Sequence, residues 1–159
     1  LATILQDATF DVVCANYDVT GSKLEGIVKP YTILHRGNLR IGVFGLGVNP
    51  YGLVAEKNFQ PLKYLEPTQA AQEVADLLKN RQKCDLVICL SHQGTYSYPD
   101  GRASDEDLAR GTRNIDIIIG AHTHKMVENL YIQNIDGDSV LLMQTGKAGA
   151  RIGKILVKM

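Results

Sequence analysis

The 159-residue chain has no surplus of either charge, since 17 Lys and Arg stand against 17 Asp and Glu. That balance removes the electrostatic signature of a general nucleic-acid binder or a polybasic membrane-surface protein, although a local phosphate site needs only a few groups. Long apolar runs are missing too: the apolar stretches are strand-sized, well short of the ~20 residues of a membrane span. The first residues carry no basic-then-apolar pattern, so no export signal is read there. Cysteine is scarce and odd in number. Cys14, Cys84 and Cys89 lie in or beside apolar runs without CxxC spacing, which favours buried free thiols over disulfides or a cysteine-held metal. The sequence has no internal repeats, low-complexity tracts or linkers.

What is present is 45% hydrophobic and 21% charged residues, enough for the core of one ordinary α/β domain. The chain is organised around Ile115-Asp116-Ile117-Ile118-Ile119-Gly120-Ala121-His122-Thr123-His124. A β-branched run that halts at Gly-Ala reads as a buried strand delivering two imidazoles to its carboxyl end, where α/β sheets keep their sites. In extended chain, histidines at i and i+2 project to one side roughly 6–7 Å apart, which is long for chelating one ion. Such a pair suits two ions about 3.5–4 Å apart. The same residues also fit a plain polar strand exit.

In chain order, Leu1 to Asp7 reads as the tail of a helix with no N-cap signal before it, as though cut from something longer. Phe10 to Ala15 reads as a first strand, and Asn16-Tyr17-Asp18 as the entry to a loop. Tyr31 to Leu34 and Leu39 to Phe44 flank Arg36-Gly37-Asn38 as an antiparallel hairpin. Gly42, Gly45, Gly47 and Gly52 have the wrong spacing for a dinucleotide loop and read as turn and close-packing glycines. After a polar loop, Pro67-Thr68 opens a helix to about Asn80, with Ala71, Val74, Ala75 and Leu78 as its buried face. Asp85 to Leu90 reads as a strand buried on both sides, ending at Ser91-His92. Ser104-Asp105-Glu106-Asp107 presents three acids that could be taken for a metal cluster, but Ser-x-x-Asp is capping-box spacing and acids suit a first helical turn. Glu128 to Ile135 and Ser139 to Gln144, joined by Asp136-Gly137-Asp138, form a second hairpin, and Ile152 to Val157 a last strand. Lys147 and Arg151 between them read as a solvated basic turn rather than a phosphate site.

Of the four histidines, His92, His122 and His124 lie just past the ends of expected core strands, and His35 does not. Neutral imidazole is a good ligand for Zn, Mn, Fe or Co, so three on one sheet edge favour a metal site over three structural histidines. A binuclear site needs a bridging carboxylate and further oxygen ligands as well, and here the chain runs short.

At this point a resemblance is specific. Leu90-Ser91-His92-x-Gly94 followed by Ile115 to His124 resembles the second half of a calcineurin-like metallophosphoesterase of the 5′-nucleotidase and UDP-sugar hydrolase branch. Ala15-Asn16-Tyr17-Asp18, Ile41-Gly42-Val43-Phe44-Gly45-Leu46, Cys84-Asp85-Leu86-Val87-Ile88, Gln144-Thr145-Gly146 and Ile152-Gly153-Lys154 agree in order, so the likeness covers nearly the whole chain. The resemblance implies an α/β fold, half of a four-layer αββα sandwich, with a mixed sheet and covering helices. It implies that residues 1–159 are the carboxyl-terminal portion of the domain. It makes His92 and His122 ligands of one divalent ion and His124, often varied among relatives, a ligand of a second. The activity implied is metal-dependent hydrolysis of nucleoside monophosphates, nucleotide sugars or other phosphate esters. Family members are mostly periplasmic or extracellular; the compartment is not read from this chain.

Three family elements are not found: an Asp-x-His, a Gly-Asp pair with a bridging role, and a Gly-Asn-His-Glu segment. The chain alone is therefore expected to be feebly active or inactive, and to self-associate through an exposed sheet face. Two rivals are a non-catalytic binding or structural piece with half a metal site, marked by the missing Asp-x-His, and an unrelated metal- or phosphate-binding module, favoured if His92 lay far from His122.

Overall fold

The computed structural model describes residues 2–158. Its elements in chain order are α1 (Ala2–Leu5), β1 (Val12–Val13), β2 (Tyr17–Asp18), β3 (Val28–Lys29), β4 (Tyr31–Arg36), β5 (Leu39–Leu46), β6 (Lys63–Tyr64), α2 (Pro67–Asp76), β7 (Leu86–Ser91), α3 (Asp105–Gly111), β8 (Ile117–Ile119), β9 (Met126–Gln133) and β10 (Ser139–Thr145). Of the opening helical turn, Leu1 lies outside the described residues. The centre is a six-stranded mixed sheet in the order β4-β5-β7-β8-β10-β9. Its inner strands β5, β7, β8 and β10 run parallel, and each edge strand closes an antiparallel hairpin with its neighbour, as the two turn signals require.

Helix α2 starts where Pro67 occupies its first turn and the Glu66 carboxylate accepts from the Thr68 and Gln69 backbone N–H groups at 3.0 and 2.6 Å. It continues as a single π-helical turn over Leu77–Arg81. The Ser104 hydroxyl accepts from the Asp107 N–H while the Asp107 carboxylate accepts from the Ser104 N–H, each at 3.1 Å, so the capping-box reading of the acidic run holds. Both helices lie on one face of the sheet. There Ala71, Ala75, Leu78, Leu108 and Ala109 meet the alternate strand residues Phe44, Val87, Cys89, Ile118, Val140 and Leu142 in one buried cluster. Gly42 is part of the fit, since a Cβ on it would press both Leu78 methyls at 2.9 Å.

The opposite face is apolar and only partly covered, with Ile117 buried on it. Leu34, Leu90 and Ile119 are 38%, 41% and 39% exposed, so the expectation that the Asp85–Leu90 run is buried on both sides is corrected: only its Val87, Cys89, Ser91 parity is covered. Two further strand expectations fall short. Phe10 to Ala15 yields only the two residues of β1, because the segment crosses over: the Cys14 N–H donates to Lys29 O and the next, Ala15, to Gly45 O, at 2.8 Å each. Ile152 to Val157 forms no strand; Ile152 and Leu156 are exposed, and the strand before it, β10, already has β8 and β9 on its two sides. Apolar alternation makes a strand only where a ladder edge is free to receive it. Cys14, Cys84 and Cys89 are free thiols, as expected, with burial pushing the Cys89 thiol well above its ordinary value.

Candidate metal centre

The parallel pairing of β7 with β8 sets Leu90 beside Ile119. His92 is two residues beyond the first and His122 three beyond the second, so both leave the sheet at the same carboxyl edge. Their rings approach to 5.3 Å between centroids, inclined at 65°. The exposed His35 pairs with Arg40 near the start of β5, at the opposite edge from Leu46 and Ser91, and takes no part.

Nothing in the sequence signals the backbone at this edge. His122 and His124 both adopt left-handed conformations, with φ of 69° and 56°. The extended Thr123-centred segment anticipated from the sequence is therefore a tight turn, and the two imidazoles do not project as an i, i+2 strand pair. Left-handed backbone costs a non-glycine residue ~1–2 kcal/mol. Such conformations persist where the surroundings over-determine them.

Those surroundings are the buried side chain of Gln144. Its Nε2 donates to Ala121 O and Thr95 Oγ1 at 2.9 Å each and lies 3.2 Å from Thr123 Oγ1, and its Oε1 accepts from the Lys125 N–H at 2.7 Å. The Thr95 and Thr123 hydroxyls also meet at 2.9 Å. Sequence reasoning quoted Gln144 only as part of a motif. Its signal was parity: it continues the Val140, Leu142 alternation onto the buried face, where an amide needs partners.

Asp105 lies behind the same edge. It is fully buried at the first turn of α3, its N–H donates to Gly94 O at 2.7 Å, and neither carboxylate oxygen has a hydrogen-bond partner. Burial raises its pKa to about 7, and the nearby Ser91 hydroxyl lowers it slightly.

Around His92, burial first and then the charges of His122 and His124 hold the imidazole below its ordinary value. Neutral imidazole is the ligating form. With a metal–nitrogen bond of ~2.0–2.1 Å, two imidazoles bound at roughly 90–110° have ring centroids about 4.5–5.3 Å apart. The His92–His122 centroid separation falls at the long end of that range. His124 is near enough for its charge to be felt at His92. Among the described residues, however, no three His, Cys, Asp or Glu side chains gather closely enough to hold an ion. The acidic run does not help, because Asp107 caps its helix and Asp105 faces inward.

Known proteins resemble this chain in sequence and in fold. The chain is 24% identical over 163 residues to the trifunctional nucleotide phosphoesterase protein YfkN of Bacillus subtilis, covering 92% of this chain and 10% of that one. It is 29% identical over 128 residues to a 5′-nucleotidase of Vibrio cholerae, covering 76% and 23%. Among solved structures, a 5′-nucleotidase precursor from Thermus thermophilus superposes with a TM-score of 0.79 at 26% identity, over 92% of this chain and 30% of that one. The chain spans less than a third of the length of each of these relatives. The family model for calcineurin-like phosphoesterases matches residues 13–126, a span that contains both strand exits and all three edge histidines, and the chain belongs to that family.

Proposed function

We propose that this chain supplies the His92–His122 part of the metal centre of a phosphate-ester hydrolase of 5′-nucleotidase type, acting on nucleoside monophosphates or nucleotide sugars. The observation that carries the reading is the 5.3 Å approach of two imidazoles from the ends of adjacent parallel strands. Family membership makes a metal-dependent phosphoesterase the reaction class, and the relatives named as nucleotidases narrow the substrate. His92 and His122 would hold one divalent ion and His124 a second, drawn from Zn, Mn, Fe or Co. Bound there, such ions supply Lewis acidity toward phosphoryl oxygens and acidify water.

The protein's own residues do the rest. His92 stays neutral, and so fit to ligate, to a lower pH than a free imidazole. The turn at Thr123 aims the other two rings. Three imidazoles bring no negative charge, and no carboxylate joins them among the described residues. Offsetting two adjacent cations therefore calls for acids from another segment of polypeptide. On this reading residues 1–159 are the carboxyl-terminal portion of a metallophosphoesterase domain, and the partly covered apolar face of the sheet is where the other half of an αββα sandwich packs.

The test is an assay on p-nitrophenyl phosphate and AMP with excess Mn²⁺ or Zn²⁺. The 159-residue chain should turn over feebly or not at all, and a polypeptide that adds a segment with Asp-x-His and Gly-Asn-His-Glu ahead of it should be active and lose activity on His122→Ala. Robust turnover by the 159 residues alone, abolished by His122→Ala, would mean that no further ligands are needed and would sink the shared-site reading.

A further inference from the structure

We infer that Gln144 is a positioning residue for the metal centre, one that clamps both ends of the His122–His124 turn and couples that turn to the His92 strand exit. The inference rests on the metal-centre reading for its functional sense, and on geometry alone for the coupling.

The amide of Gln144 bonds to both ends of the histidine turn. Ala121 and Lys125 bracket the three residues His122-Thr123-His124, and Gln144 grips both: its Nε2 donates to the carbonyl of Ala121 at 2.9 Å, and its Oε1 accepts from the N–H of Lys125 at 2.7 Å. One bracket offers an acceptor and the other a donor, so only one orientation of the amide satisfies both. Thr95, three residues past His92, accepts a third bond from the same nitrogen at 2.9 Å, and its hydroxyl meets that of Thr123 at 2.9 Å. A single side chain from β10 thus ties together the exits of β7 and β8.

Two features separate this from ordinary core satisfaction. A buried amide needs partners, yet any backbone groups would serve; here the partners flank both of the edge residues with positive φ, at 69° and 56°. Backbone hydrogen bonding near the turn is otherwise sparse: the Thr123 N–H donates to Ala121 O at 2.9 Å and the Gly146 N–H to Lys125 O at 3.0 Å. The first closes a γ-turn about His122, in keeping with its φ of 69°, and the second leaves His124 unspanned. Gln144 adds to that local bond a clamp on both ends of the turn and a tie to Thr95, much as outer-shell partners orient ligating histidines in metal sites generally.

The substitution that isolates this role is Gln144→Met, which keeps length and apolar volume and removes both donor and acceptor. Zn²⁺ binding is followed by calorimetry and by the ¹⁵N resonances of the histidine rings, with far-UV circular dichroism and cooperative unfolding as controls on the fold. Zn²⁺ should shift His92 and His122 in the unsubstituted protein. In Gln144→Met the affinity should fall roughly 10–100-fold, and the His122 and His124 responses should weaken while the His92 response persists. Unchanged affinity with unchanged His122 resonances overturns the inference. If the unsubstituted protein binds no Zn²⁺, it is the metal-centre reading that fails, and the coupling is decided by hydrogen exchange at Lys125. That N–H, on an exposed residue, should exchange slowly in the unsubstituted protein and quickly in Gln144→Met; equal rates overturn the coupling. Should Gln144→Met fail to fold, slow Lys125 exchange in the unsubstituted protein supports the inference and fast exchange overturns it.

Discussion

The carboxylate of Asp105 occupies the space that a side chain on Gly120 would need: a Cβ at residue 120 would sit inside the contact radius of Asp105 Oδ2. Two residues that the chain places fifteen apart thus pack as a pair, the side-chain end of Asp105 filling the space left by the missing side chain of Gly120.

Gly120→Ala is expected to destabilise the protein by ~1–3 kcal/mol, the usual cost of overpacking. The added methyl would displace the fully buried Asp105 carboxyl group. Urea unfolding measures the loss, and a midpoint equal to that of the unsubstituted protein would show that Asp105 moves freely.

Asp105 also sets a pH dependence. Its folded pKa is raised from 3.8 to about 7. Between those values the native state keeps a proton that the unfolded chain has lost, so stability falls as pH rises through the window and levels off above about pH 7. The loss is on the order of a few kcal/mol. Asp105→Asn, neutral throughout, should remove most of that slope and leave the protein more stable than its parent at pH 8. Parallel curves for the two proteins from pH 4 to 8 would argue that the acid is ionised where it stands.

Leu78 is fully buried against Gly42. Leu78→Ala should cost about 2–5 kcal/mol, the range for emptying a buried leucine site. Because the cavity lies away from the histidine edge, the His92 and His122 ring resonances should be unchanged in the folded variant.

All three cysteines are free. Thiol titration of the unfolded, unreduced protein should therefore return three groups, and Cys89, fully buried with its pKa raised by burial, should be the slowest to react in the native state. A count of one would reveal a disulfide.

The apolar sheet face predicts self-association of the isolated chain. Leu90 and Ile119 lie side by side on it, 41% and 39% exposed. Sedimentation should show a mass that grows with concentration, and Leu90→Glu should weaken the association; a monomer at all concentrations would mean that this face tolerates water.

Much of the architecture was legible because it rests on local signals. Pro67, the Ser104–Asp107 pair and the two glycine-bearing hairpin turns each fix an element end by the chemistry of a few neighbouring residues. Ile152 to Val157 misled because strand pattern reports side-chain alternation, whereas strand formation depends on an edge supplied from elsewhere. At the site, placement of His92 and His122 followed from two apolar runs that stop at histidine. The left-handed turn did not, since only glycine and asparagine announce such backbone in sequence, and the clamp on both ends of the turn comes from a glutamine some twenty residues downstream.

The sheet order has a kinetic consequence. Its flanks, β4 with β5 and β9 with β10, are hairpins of neighbouring residues, whereas its middle joins β5, β7, β8 and β10 across long stretches of chain. Short loops close before long ones, so the flanks are expected to assemble early and the parallel centre late. The three-residue strand β8 is held between two such distant partners, Cys89 and Leu142 both lying beside Ile118. Truncating Ile118 should therefore speed unfolding far more than it slows folding, and the histidine edge should be among the last parts of the molecule to come into being and the first to be lost.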